Sequence, residues 1–305
     1  MCSISDKRAA IIIPAYNRKT VTLGCLSRLE KIGALEKYSV VVVDSGSSDG
    51  TRNAIAKRFS SVDIIEGSED LWWTGAIALG MQYAYQRGSS HIIWMNDDCY
   101  VNSDVFESLI ETCNRFSTSR TSDKGAIVGA QGYDIEKPDT VGFGGKRKTW
   151  AGFRFLSVTD SRIQACDLLS GNLVCMPRQI IEAVGYPDEN ITPHYGGDSL
   201  YLLKASSVGF CLFVDTRHTV FDSSTQASPL YPTCWIAAEG GPLRLIQLAC
   251  TPQSGLSWRV WLHLNWEAYG LWGWVLFSKK YISILLITLL RYLPLSLRQQ
   301  LSSGF

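Results

Sequence analysis

The chain has 305 residues, 46% hydrophobic and 19% charged, with a formal net charge of +1. That length holds one large domain or two small ones. The near-neutral balance excludes a general nucleic-acid binder, whose footprint is a basic surplus. Nine cysteines are scattered without a CxxC pair or a metal-like spacing. Most lie in apolar runs, as Cys175 does in NLVCMP, and act there as small hydrophobes. An odd count without a framework points to a reducing compartment. The start, MCSISDKRAAIIIPAYN, runs only three isoleucines together before Pro14. No signal peptide is read there, and a cytoplasmic location is expected.

The first hundred residues alternate strand and helix signals. AAIIIPAYNR is a short buried strand ended by Pro14, and apolar residues from Val21 to Ile32 recur at helical spacing. YSVVVVDSGSSDGT is a second strand running into a turn-rich loop. Arg52 to Phe59 reads as a helix, VDIIEG as a third strand, and Gly75 to Arg87 as a helix broken by Gly88. HIIWMNDDCYV holds the fourth strand, continuously apolar from Ile92 to Met95 and therefore buried on both faces. Such alternation predicts a mostly parallel central sheet covered by helices. Ligands of such sheets bind beyond the carboxyl ends of the strands. Those ends carry Tyr16-Asn17, Asp44 and Asn96-Asp97-Asp98. Adjacent carboxylates repel unless something compensates them, so either the last turn is solvated or something positive sits there.

From Ser117 to Gly152 the chain is glycine-rich and aperiodic, which predicts loops and short strands. A strand over Leu168 to Met176, a helix from Pro177, a helix over Asp198 to Ser206 and a strand at CLFVDTRHTVFD follow. Past Pro229 the composition turns to tryptophan and leucine. Ala268 to Ser278 and Tyr281 to Leu290 are each too short to span a bilayer, and joining them would bury Lys279 and Lys280 mid-span. Aromatics flanked by Lys and Arg fit a segment lying in the membrane interface. A core helix closing the catalytic domain, or a dimer contact, is the other reading.

IIIPAYNR, VVVDSGSSDGT, WWTGAIALG, IIWMNDD and GGDSLYLLKA occur in the order seen in family 2 glycosyltransferases. The resemblance covers about Ala10 to Phe221. It implies a GT-A fold with a Rossmann-like nucleotide-binding half, and inverting sugar transfer from a nucleotide diphosphate-sugar, aided by Mg²⁺ or Mn²⁺. The expected division is a catalytic domain over 8–225 and a membrane-associating helical region over 226–305. A lipid-linked glycan in cell-surface polysaccharide synthesis is the acceptor this suggests, and a peripheral place on the inner face of the cell membrane follows.

Pro14, Tyr16, Asn17 and Asp44 would line the nucleotide pocket, Asp44 accepting a hydrogen bond from base or ribose; its other reading is a turn aspartate. Gly75 would let the backbone approach the diphosphate at a helix start, and Trp73 would pack on the sugar or in the core. Thr74 reads as that helix's cap. The family's acidic signature is Asp-any-Asp, so Asn96 replaces its first acid. Asp97 would contact ribose or sugar, and Asp98 would bind the metal, since hard cations take oxygen ligands. His218 is a second candidate ligand, or an ordinary satisfied histidine. The expected general base is Asp198, whose alternative is an N-cap; His194 and Glu189 stand behind it. The basic loop GGKRKTW reaches an anionic group or is simply solvated. A nucleotidyltransferase is a second enzymatic reading, but PAYNRKT lacks a Gly-rich phosphate loop. A catalytically inactive membrane scaffold of the same fold is the third.

Overall fold

The computed structural model describes residues 9–117, 124–156, 162–222 and 232–302. Strands β1 (Ala9–Ala15), β2 (Ser39–Asp44), β3 (Asp63–Glu66) and β4 (His91–Met95) alternate with helices α1 (Lys19–Lys31), α2 (Ala34–Lys37), α3 (Thr51–Arg58) and α4 (Trp72–Gln86). There follow β5 (Cys99–Tyr100), α5 (Val105–Ser117), β6 (Ala126–Asp134), β7 (Val141–Phe143), β8 (Gly145–Thr149) and β9 (Gly152–Phe155). Next come β10 (Ile163–Cys166), β11 (Leu168–Leu169), β12 (Leu173–Pro177), α6 (Gln179–Val184), α7 (Gly197–Ser207) and β13 (Cys211–Asp222). The carboxyl-terminal region is helical: α8 (Arg244–Cys250), α9 (Trp258–Tyr269), α10 (Leu271–Leu290) and α11 (Leu295–Ser302).

The main sheet runs β10-β13-β6-β12-β4-β1-β2-β3. β3, β2, β1 and β4 are mutually parallel, so the carboxyl ends of β1, β2 and β4 share one edge, as expected of a helix-covered sheet. Ala15 pairs with Asp44 there. β12 lies antiparallel between β4 and β6 and returns the chain from that edge. Apolar clusters fill both faces: Ile11, Ile13, Leu26 and Phe106 on one, Ile12, Trp94, Ile77 and Leu202 on the other. Strands wrapped this way have to be continuously apolar, which is why their sequences do not alternate.

Three sequence expectations are corrected. β1 does not stop at Pro14 but continues to Ala15. Its pairing with β4 ends at Ile12, so the missing proline N–H disrupts no bond on that side. The glycine-rich middle is not only loops and short strands: β6 is a nine-residue central strand. Its Gly129 and Gly132 lie against Leu169 and Phe143, where a side chain would clash. From Leu271 onward the two short apolar runs of the tail join in one 20-residue helix, α10. Lysine is a good helix former, and Lys280 stacks on the Trp261 ring at 3.4 Å.

The tail has its own small core of Ile236, Leu245, Leu256, Ile284 and Ile287. Buried Arg291 staples it, donating to the carbonyls of Trp235, Ala238, Glu239, Gly240 and Gly241. α9 also packs on the sheet-bearing part of the chain: Ala268 joins the second sheet core, and Lys148 donates to the Ala268 carbonyl. Trp272 donates to Trp150 O at 2.7 Å. α10 is long and apolar enough to cross a membrane by length and composition.

Candidate active site

At the strand edge, Asp44 is buried and accepts the Ser47 N–H at 3.1 Å. Its backbone carbonyl takes the Gly67 N–H at 2.9 Å, tying the loops after β2 and β3 together. Asn17 adopts φ 50°, a left-handed value asparagine tolerates. Its amide oxygen accepts from Ser48 N at 2.8 Å, and its own N–H donates to Ser47 Oγ at 2.8 Å. Asn17 thus braces the SGSSDG loop, while Tyr16 stands exposed at the rim. Pro14 pairs with Val43, one residue in from Asp44.

The positive group beside the acids is Arg18. Its two terminal nitrogens reach Asp97 Oδ1 at 3.1 Å and Asp98 Oδ2 at 2.9 Å. The other Asp97 oxygen accepts from Thr22 Oγ1 at 2.8 Å. Burial pushes the Asp97 carboxyl up to about 6 despite the opposing pull of Arg18 and Thr22. Asp98 is also buried, and its Oδ1 has no hydrogen-bond partner. A buried carboxylate oxygen without a donor is what a hard divalent cation requires, so these residues fit the metal that the resemblance implies. A further acid, Asp222, ends β13 opposite Cys99, within electrostatic reach of Arg18. It accepts from Asn172 Nδ2 at 3.4 Å. Nothing in TVFDSS distinguished it, because its neighbours come from β5 and the β11–β12 turn. His218 lies four residues earlier, where the β13–β6 register shifts between Asp215 and Val220. Among the described residues no three His, Cys, Asp or Glu side chains converge as a metal cluster.

On the other side of Asn96 runs a chain of contacts. Trp73 Nε1 donates to Asn96 Oδ1 at 2.9 Å, and its ring meets Trp94 edge-on at 5.5 Å. Asn96 N donates to Asn172 O at 2.9 Å. The adjacent Gly171 N–H donates to Asp198 Oδ2 at 2.8 Å. The strand read over Leu168 to Met176 is therefore interrupted, and the Ser170-Gly171-Asn172 turn links the acids to Asp198. A Cβ on Gly171 would come within 2.6 Å of Asp198 Cβ and 3.0 Å of the Trp73 ring. Gly171→Ala is expected to displace both side chains and, where Asp198 or Trp73 serves a reaction, to cut turnover at least ~10-fold through misplacement, with the melting temperature as control. Unchanged turnover would show that neither side chain needs its present position.

Asp198 is not the cap of α7. Gly196 holds that position, and Asp198 sits in the first turn with Oδ1 2.6 Å from Ser199 N. Nor does Thr74 cap α4: the helix begins at Trp72, and buried Thr74 packs inside it against Gly197. Trp72 takes φ 49°, a strained value for a bulky residue. Its ring lies 5.5 Å from that of His194. Burial lowers the His194 pKa, with Asp198 opposing. Lys146, from the basic loop GGKRKTW, is likewise lowered by burial and raised by Asp198. Glu189 lies close against Gly75, since a Cβ there would sit 2.0 Å from Glu189 Oε2. A cavity of about 540 Å³ opens there, lined by Gly75, Ala78, Gln82, Tyr186 and Glu189, on the flank of α4.

Residues 10–145 match the model of glycosyl transferase family 2. Over that stretch the chain is similar to family 2 glycosyltransferases. An uncharacterised protein of Mycobacterium tuberculosis and one of Mycobacterium bovis are each 24% identical over 213 residues, 67% of this chain and 69% of theirs. The fold is GT-A. S. aureus TarS 1-349, solved with UDP-GlcNAc, superposes with a TM-score of 0.51 at 13% identity, over 85% of this chain and 72% of TarS. The mannosyltransferase PcManGT from Pyrobaculum calidifontis, solved with GDP-Man and Mn²⁺, gives 0.53 at 16% identity, over 97% and 79%. GalNAc-T7, solved with UDP, GalNAc and Mn²⁺, gives 0.55 at 14% identity, over 75% and 47%. Those likenesses establish the fold in which the strand-edge acids stand.

Proposed function

We propose that this chain is an inverting glycosyltransferase moving a hexosyl or deoxyhexosyl group from a nucleoside diphosphate-sugar to an acceptor hydroxyl. The observation that carries it is the contact chain Trp73–Asn96–Asn172, continued through Gly171 to Asp198. It holds one carboxylate beside the acids that would face the diphosphate. In this reading Asp44, Asn17, Tyr16 and Pro14 form the nucleoside end, and Trp73 and Asp97 the sugar end. The UDP-sugar and GDP-sugar complexes of TarS and PcManGT support such a donor.

Asp98 would hold the divalent cation through Oδ1, His218 is the candidate second donor, and the cation's chemistry would be to offset charge on the leaving diphosphate. Asp198 takes the acceptor's proton onto a carboxylate oxygen as the hydroxyl oxygen bonds the anomeric carbon. The bond from that carbon to the diphosphate oxygen breaks on the opposite face, inverting the configuration. The domain boundary near residues 225–226 belongs to this reading. So do a lipid-linked glycan acceptor, a role in cell-surface polysaccharide synthesis and a peripheral place on the inner membrane face. The exposed apolar surface of α10, with Leu285, Leu286 and Leu289, supports the membrane attachment.

The test is a screen of UDP-, GDP- and dTDP-sugars with Mg²⁺ or Mn²⁺, following sugar release by mass. One donor is expected to be hydrolysed, and Asp98→Ala to abolish this while the melting temperature holds. Hydrolysis of no donor, or full activity of Asp98→Ala in metal-free buffer, would refute the metal-dependent assignment.

A further inference from the structure

The acidic pair is already partly neutralised before any ligand arrives. Arg18 bridges Asp97 and Asp98 with one guanidinium, at 3.1 and 2.9 Å. The acids are almost wholly buried, whereas the arginine side chain is 45% exposed. Arg18 flanks the first turn of α1, with φ −129° and ψ 39°, at a junction of loop and helix. The cation is therefore the movable member of the cluster and the carboxylates are the fixed ones. Asp222 adds a third negative charge that also favours the guanidinium. Asp98 Oδ1 is buried without a hydrogen-bond partner.

We propose that Arg18 is a built-in counter-cation that competes with the divalent ion for Asp97 and Asp98, so that metal entry is linked to arrival of a nucleoside diphosphate. The proposal rests on Asp98 as metal ligand, as read above. A divalent cation binding alone at Asp98 Oδ1 meets the nearby positive charge of Arg18, and like charges at such range oppose each other strongly. A diphosphate removes the conflict. Its oxygens accept the planar fork of a guanidinium in the same two-pronged way that the carboxylates do. The exposed stem of Arg18 lets the guanidinium pass from the acids to the phosphates without disturbing the core. Metal and nucleotide then assist each other's binding by the same factor, as thermodynamic linkage requires. The device keeps two buried carboxylates compensated in the free protein, where otherwise they would repel.

The experiment uses the full chain without any sugar donor. Mn²⁺ binding is titrated by the EPR signal of free Mn²⁺ for wild type, Arg18→Gln and the double variant Arg18→Gln/Asp98→Asn. Arg18→Gln is expected to bind Mn²⁺ at least ~10-fold more tightly than wild type, and the double variant to lose that gain. Binding of UDP and GDP without metal is expected to weaken at least ~5-fold in Arg18→Gln, the effect of losing a charge-assisted phosphate contact. Equal or weaker Mn²⁺ binding in Arg18→Gln overturns the proposal. So does a gain that survives Asp98→Asn, or undetectable Mn²⁺ binding in both proteins. Should Arg18→Gln unfold, Arg18→Met provides the second comparison: it keeps an apolar stem and removes the positive charge, so Mn²⁺ is again expected to bind more tightly than in wild type, and unchanged binding overturns the proposal. The donor screen, which involves no Arg18 variant, tests the glycosyltransferase reading separately.

Discussion

Asp198→Asn is expected to lower the rate of sugar transfer by at least ~10²-fold, the usual scale for a removed general base, while donor binding is kept. Both oxygens of Asp198 are engaged by backbone N–H groups, from Gly171 and from Ser199. An asparagine oxygen can keep one of these and its amide nitrogen cannot accept the other, so the fold loses about 1 kcal/mol. That shifts the melting temperature by only a few degrees, and the proton-accepting function disappears altogether. Because the substitution acts in the transition state, kcat is expected to fall with little change in the donor KM. Asp198→Ala, which removes both hydrogen bonds, should lose more stability at a similar activity. Wild-type turnover in Asp198→Asn would leave the residue as a brace for Gly171 and direct the search to His194 or Glu189. Of these, His194 shares the electrostatic neighbourhood of Asp198, whereas Glu189 lies against Gly75 at the start of α4.

The paired change Leu285→Glu with Leu289→Glu is expected to abolish sedimentation of the protein with anionic liposomes. These positions are four apart on α10, hence on one face, and are 56% and 65% exposed. Ile284 and Ile287 point the other way into the tail core, so the substitutions leave packing intact. Burying one leucine in an apolar phase contributes about 1.5–3 kcal/mol. Losing two lowers the partition coefficient by at least ~10², before the repulsion of the new charges is counted. Trp272 and Trp274, half exposed on the same helix, suit an interfacial position. A variant that sediments like wild type refutes membrane attachment through this face. If the wild type instead stays in solution and is dimeric, and the variant becomes monomeric, the face is a contact between copies. Removing everything beyond Leu256 is a poorer test, because it strips α9 from α7 and takes Ala268 out of the sheet core.

The sequence alone determined the alternation of strand and helix through His91–Met95, and the residues standing at each strand's carboxyl end. Those features are local: four apolar residues in a row, followed by Asn96-Asp97-Asp98, say that a buried strand delivers acids to an edge. The start of α7 at GGDSL was legible for the same reason, although which residue caps it was not. The tertiary structure decided what compensates the acids. Arg18 stands 80 positions from Asp98 in the chain, and no pattern in PAYNRKT says that its guanidinium turns toward them. It also decided that Asp222 comes within electrostatic reach of Arg18, that Gly171 holds Asp198, and that glycine-bearing β6 is a central strand rather than a loop. In each case the partners meet only because parallel β1, β2 and β4 end at a common edge and antiparallel β12 starts beside it. Sequence patterns report which side chains a segment buries. The partner of a buried charge is set by how strands from distant parts of the chain are ordered across the sheet.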